Sequence, residues 1–272
     1  MRRHVPEALP VLEPGSVWLV GAGPGDPGLV SWLAVHALRS ADAVLHDRGL
    51  EEALDALVPA GRASLEPVES GAAAAETALT RAIRLARDGW RVVRLVAGDP
   101  LSRGQGVAAA LALAEADIGF RIVPGISPAV AGLSYAGVPV TQRHVNSAFA
   151  ALDVSEAAFD ELPAALGRLL ATTPAVVTGL EGARLGELAQ ALLDAGVPGA
   201  TPLLVVARPT ARDQVNVETT LEAAAEDAPV LVGKVVLAIG ANVRLRASLA
   251  WRERAARVRS APSVLSFAGL AG

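Results

Sequence analysis

The sequence predicts an α/β fold with a mostly parallel sheet, and three observations predict it. Short apolar, β-branched runs alternate with stretches of helical spacing through the first half of the chain. The strand-like runs lead into loops rich in Gly, Pro and Asp. Hydrophobic residues make up 52% of the 272 positions and charged residues 19%, which supplies a large core and argues against disorder. A chain of this length is expected to divide into two domains.

Taken in order, residues 1–15 hold three prolines and read as a flexible N-terminal tail. Residues 16–20 form a buried first strand that runs into Gly21-Ala22-Gly23-Pro24-Gly25-Asp26-Pro27-Gly28. Helical spacing covers 29–38, and a second strand at 43–45 ends at His46-Asp47-Arg48. A short helix follows at 50–57, and Ser70 is placed to cap an Ala-rich helix at 72–86. A strand at 91–96 leads into Ala97-Gly98-Asp99-Pro100, a helix occupies 107–116, and a strand at 120–123 ends at Pro124-Gly125. A second block begins near Pro139. It has strands at 175–177, 203–207 and 231–239, an amphipathic helix at 181–195 closed by Gly196, and an amphipathic stretch at 244–251. The expected organisation is a tail (1–15), an N-terminal α/β domain (16–138), a C-terminal α/β domain (139–254) and a C-terminal tail (255–272), without internal repeats.

Composition narrows the function classes. The formal net charge of −4 gives no support for nucleic-acid binding. With no cysteine there is neither a disulfide nor a thiolate metal site, and His4, His36, His46 and His144 do not pair at ligand spacing, so no metal is expected. Lys234 is the only lysine, so a mechanism that needs one has a single candidate. No run reaches the roughly 18 apolar residues of a membrane span. The first 15 residues carry Arg2 and Arg3 without the apolar core of a signal peptide. A cytoplasmic protein with no membrane contact is expected.

The first glycine loop invites a dinucleotide-binding assignment, but its chemistry opposes it. The third glycine comes too early, Pro24 interrupts, and Asp26 puts negative charge where a phosphate needs positive potential. Asp99 repeats the feature in the second loop. Acidic glycine turns at strand ends suit a ligand with cationic groups, and the ammonium and sulfonium of S-adenosylmethionine fit. Taken alone, Gly-Pro-Gly-Asp is equally a plain tight turn.

Several runs together resemble the uroporphyrinogen-III C-methyltransferases. They are Val17-Trp18-Leu19-Val20 with the first glycine loop, Val44-Leu45-His46-Asp47-Arg48, Val92-Val93-Arg94-Leu95-Val96-Ala97-Gly98-Asp99-Pro100, and Val123-Pro124-Gly125-Ile126-Ser127-Pro128-Ala129. Tyr135-Ala136-Gly137-Val138-Pro139-Val140-Thr141 continues the match. Further on, Pro209-Thr210 with Gln214, Glu218-Thr219-Thr220-Leu221, and the segment 243–251 look like the family's later motifs. The resemblance covers about residues 16–252.

The resemblance implies a tetrapyrrole methylase fold: two α/β domains with the methyl donor in the cleft between them, as a homodimer. It implies S-adenosylmethionine-dependent methylation of uroporphyrinogen III to precorrin-2, on the way to sirohaem and cobalamin, with S-adenosylhomocysteine as product. Carried over by position, Asp47 is the catalytic proton acceptor. Pro24, Ala97, Gly98, Asp99, Ser102, Ser127, Pro128, Thr178, Pro209 and Thr210 contact the donor. Arg48, Arg103 and Arg143 are candidates for the substrate's carboxylates, because guanidinium pairs bidentately with carboxylate. On its residues alone, Asp47 reads more readily as a strand-end turn or an ion-pair partner of Arg48 than as a catalytic group.

The sequence departs from the family where substrate chemistry is expected. The family lysine that follows the Asp-Arg motif is absent from 62–71, and Lys234 lies in the other half of the chain. The aromatic and acidic residues that follow the family's Gly-Asp-Pro are replaced by Leu101-Ser102-Arg103-Gly104-Gln105-Gly106-Val107-Ala108-Ala109. Two readings follow: a divergent methyltransferase, acting on uroporphyrinogen III or another tetrapyrrole, or a binding or regulatory subunit that no longer turns over.

Overall fold

A computed structural model describes residues 9–102, 105–154 and 161–253. The expected tail at 255–272 and Arg103 lie outside the described residues, as does most of the tail at 1–15.

The described chain builds two five-stranded sheets. The first contains β1 (Val17–Gly21), β2 (Ala43–Asp47), β3 (Ser64–Val68), β4 (Val92–Val96) and β5 (Phe120–Val123). Its order is β3-β2-β4-β1-β5 and every pairing is parallel. The central strands β1, β2 and β4 are buried on both faces, which is why they read as largely apolar runs. Val17 and Leu19 enter one core cluster with Leu45, Val92 and the helix α3 (Ala72–Arg87). Trp18 and Val20 enter another with Val44, Val93 and the helix α1 (Trp32–Ser40). Each buried Leu or Val in these layers contributes about 1.5–3 kcal/mol of transfer free energy.

This strand order positions the site. Because β1 lies between β4 and β5, the loops that follow all three strands emerge side by side at the carboxyl edge of the sheet. Because β2 borders β4, Asp47 at the end of β2 stands next to the loop at Ala97.

The second sheet is mixed. It contains β6 (Ala150–Asp153), β7 (Ala175–Glu181), β8 (Pro202–Ala207), β9 (Val215–Thr220) and β10 (Lys234–Ile239), in the order β6-β7-β10-β8-β9. Only β6 with β7 is parallel. Helix α7 (Leu185–Asp194) packs Leu185, Leu188 and Leu192 onto one face of this sheet. On the other face lies α5 (Pro128–Ala136), with Ala129, Leu133 and Ala136 clustered against Val176, Leu204 and Val236. Packing therefore assigns α5 to the second sheet, although it precedes Pro139 in the chain.

Several expected elements take a different local form. Ser70 does not cap α3; the N-cap is Gly71 at φ 109°, with no side-chain bond. Expected helix 181–195 begins only at Leu185, because β7 continues to Glu181 and a 3-10 turn, Gly182–Arg184, intervenes. Among the described residues no helix is long and apolar enough to cross a membrane.

Candidate functional site

The three glycine turns meet in the structure. Gly98 N–H donates to Gly23 O at 2.8 Å and Gly23 N–H returns the bond to Gly98 O at 3.1 Å. The approach is so close that a Cβ on Gly21 would stand 2.5 Å from Gly98 O and 2.6 Å from Gly125 Cα. Gly98 also adopts φ +73°, where a side chain is strained. These glycines are needed for backbone contact as much as for turning.

The acidic residues of the turns act differently from the sequence expectation. Asp26 Oδ1 accepts Gly28 N–H at 2.8 Å, and Oδ2 accepts the Tyr135 hydroxyl at 2.8 Å. Its own N–H donates to Thr210 Oγ1 at 3.0 Å. Asp26 therefore ties the first loop to α5 and to the loop after β8, and does not line the hollow described below. Burial, with the Asp26 carboxylate beside it, pushes the Tyr135 phenol above its ordinary range. Asp99 Oδ1 accepts Leu101 N–H at 2.9 Å and the Ser102 hydroxyl at 3.2 Å, while Oδ2 accepts Gly125 N–H at 3.0 Å. It fixes the second turn to the third and still reaches the hollow wall.

Beyond the turns lies a hollow of about 450 Å³, walled by loops from both sheets. Such a volume is within the range of small-molecule sites. Gly98, Asp99, Ser102, Ser127 and Pro128 form one wall, and Thr178 and Pro209 belong to the other. Val130, Phe149 and Val236 supply apolar surface, and Asp153 adds a second carboxylate. Ser127 also caps α5, its hydroxyl accepting Ala129 N–H at 3.3 Å.

The other sequence-predicted residues fall elsewhere. Pro24 is buried in the first turn, where the neighbouring Gly25 packs against Pro209 and Thr210. Thr210 is 2% exposed, and its N–H donates to Gln214 Oε1 at 2.6 Å. Ala97 lines an adjoining hollow of about 270 Å³ together with Asp47, Arg48, Glu69 and Arg94. Arg143 stands apart, in an open hollow shaped by residues 141–148 and the segment 170–174 that precedes β7.

In the adjoining hollow Asp47 is held on both oxygens. Oδ1 accepts from the Arg94 guanidinium and Oδ2 accepts Ala97 N–H at 3.0 Å. Arg94 is only 8% exposed and also donates to Leu95 O at 2.7 Å. The partner of Asp47 is thus Arg94, not its neighbour Arg48, which pairs with Glu69. Two residues went unrecognised in the sequence as part of this site. Arg94 looked like one polar position in an apolar strand. Lys234 lies far away in sequence, yet it lines both hollows.

The family model for Tetrapyrrole (Corrin/Porphyrin) Methylases matches residues 16–225. The chain belongs to the tetrapyrrole methylases. A uroporphyrinogen-III C-methyltransferase from Sinorhizobium sp is 38% identical over 251 residues, covering 89% of each chain. A siroheme synthase from Azotobacter vinelandii is 38% identical over 249 residues, but this methylase chain spans only 52% of its length. Among solved structures, the uroporphyrin-III C-methyl transferase of Thermus thermophilus in complex with S-adenyl homocysteine superposes with a TM-score of 0.71 at 31% identity. That match covers 85% of this tetrapyrrole methylase and 99% of the Thermus chain.

Proposed function

We propose that this tetrapyrrole methylase transfers methyl groups from S-adenosylmethionine to uroporphyrinogen III, yielding precorrin-2, as a homodimer in the cytoplasm. The observation that carries the reading is the hollow at the glycine turns. Seven positions that the sequence marks for the donor converge on it: Gly98, Asp99, Ser102, Ser127, Pro128, Thr178 and Pro209. Its wall fits the donor's chemistry. The Asp99 and Asp153 carboxylates favour a cationic sulfur compound, the serine hydroxyls offer polar contacts, and the Phe149 and Val236 side chains offer an apolar surface.

When bound, the donor supplies a methyl group already activated by its sulfonium. The chain's contribution is alignment, worth up to about 7–11 kcal/mol in favourable cases. Asp99 lines both the donor hollow and the Asp47 hollow, so the substrate's place in this reading is beside Asp47 and Arg48. Asp47 is the proposed proton acceptor for the methylated ring. A carboxylate has about four lone-pair directions, so the bonds from Arg94 and Ala97 leave capacity for a proton. Arg48 can exchange its exposed Glu69 partner for a substrate carboxylate at little cost, because exposed ion pairs contribute only about 0–1 kcal/mol.

The hydrogen bonds on both Asp47 oxygens also support a second reading, in which it only positions the donor loop and the chain binds without turnover. An anaerobic assay that follows precorrin-2 absorbance, run beside calorimetry with S-adenosylhomocysteine, separates the two. Methylated product supports catalysis; intact donor binding without product supports the second reading; no donor binding overturns both.

A further inference from the structure

The Asp47 hollow is rich in charge, but most of that charge is already committed. Asp47 is held by Arg94, Glu69 by Arg48, and Asp99 by backbone N–H groups. Lys234 differs. It is the only lysine of the chain, it is exposed, and among the described residues it makes no ion pair. It lines both the Asp47 hollow and the donor hollow.

The backbone around Lys234 explains how it comes to face the site. Gly233 takes φ +78° immediately before β10, and the pairing of β10 with β7 shifts register between Val235 and Val236. The extra residue is Gly179 of β7, at φ +81°, and bulges of this kind are over-represented beside functional sites. Val235 is 1% exposed and enters the core, while the lysine that precedes it stays in the open wall.

We propose that the Lys234 ammonium receives a carboxylate of the acidic macrocycle at the boundary of the two hollows, and so fixes which ring edge faces the donor. The inference rests on the methylation reading above. A polycarboxylate entering this hollow finds Asp47 and Glu69 already paired with Arg94 and Arg48, but meets the Asp99 carboxylate, which makes no ion pair among the described residues. An uncommitted cation on the shared wall both offsets that repulsion and sets the register of the substrate. Lys234 is in this account a specificity-determining residue. It binds substrate and takes no part in proton transfer.

The test compares wild type with Lys234→Met and Lys234→Arg. Binding of uroporphyrin III, the air-stable oxidised macrocycle, is followed by quenching of tryptophan fluorescence. Kinetics with uroporphyrinogen III are measured anaerobically, and S-adenosylhomocysteine affinity by calorimetry. Lys234→Met is expected to weaken porphyrin binding and raise KM about tenfold, the size of a lost charge-assisted hydrogen bond. Its kcat should stay within about twofold, as for loss of uniform binding. Lys234→Arg should restore most of the affinity, and the S-adenosylhomocysteine affinity of Lys234→Met should not fall, because the change removes a cation from the wall of the donor hollow. Unchanged porphyrin affinity and KM in Lys234→Met, a loss confined to kcat, or an equal loss of donor affinity would each overturn the assignment. If wild type binds no uroporphyrin III, the methylation reading itself fails; if it binds and Lys234→Met binds equally well, only the lysine assignment fails.

Discussion

Replacing Asp47 by Asn probes the carboxylate that ties the end of β2 to Arg94 and to the donor loop at Ala97. The side chain is 29% exposed and its oxygens accept from Arg94 and from Ala97 N–H. An amide keeps one acceptor and turns the other into a donor, which then faces either a guanidinium or a backbone N–H. Arg94 loses its counter-charge while remaining only 8% exposed. Removing one partner of a fully buried pair costs about 3–5 kcal/mol; partial exposure of the carboxylate lowers the expectation to about 2–3 kcal/mol. For a chain of this size that corresponds to a fall in Tm of about 5–10 °C. Chemical denaturation of Asp47→Asn, Arg94→Met and the double variant is the assay. A coupling energy of at least about 1 kcal/mol is expected. Turnover should fall further than donor affinity, because the donor loop is only loosened while the proton acceptor is lost. An unchanged midpoint for Asp47→Asn, or additivity within about 0.5 kcal/mol, would refute the reasoning.

Two further perturbations test the loops. Gly98→Ala places a Cβ 2.9 Å from Pro128 Cδ at φ +73°, so a loss of about 1–3 kcal/mol and of S-adenosylhomocysteine affinity is expected in melts and calorimetry; wild-type behaviour would show that the turn is not tightly constrained. Tyr135→Phe removes the 2.8 Å bond to Asp26, with an expected cost of about 1 kcal/mol. The Tyr135 pKa is raised by burial and by Asp26, so its contribution is present below the unfolded value of 10.0 and is lost as pH rises through the folded value. Stability of wild type should therefore fall more steeply than that of Tyr135→Phe above about pH 10; parallel profiles would contradict this.

Strands β1, β2 and β4 were legible because they are buried on both faces and appear as largely apolar runs such as Val17–Gly21 and Val92–Val96. Strands β3, β6 and β9 were not legible. Their burial is partial, and Pro67 or polar positions such as Asn216 and Glu218 break the apolar pattern. Helix α5 has small and apolar residues all round, so spacing gave it no face, although Ser127 followed by Pro128 is a helix-start signal. At the site, the sequence assigned the carboxylates of the glycine turns to a cationic ligand but did not reveal the bonds they make within the protein. Asp26 binds Tyr135, over a hundred positions away, a partner that local spacing does not reveal. Lys234 was set aside for its distance along the chain; β10 lies centrally in its sheet and returns the lysine to the site.

The central claim is that the hollow between the glycine turns and the second sheet holds the methyl donor. Calorimetry with S-adenosylhomocysteine on wild type and on Thr178→Trp tests it most directly, because Thr178 lies on the far wall and its indole replacement fills the space. The account predicts saturable heat for wild type, none for Thr178→Trp, and similar melting curves for both. Equal heats in the two proteins, or no heat from folded wild type at millimolar ligand, would contradict it.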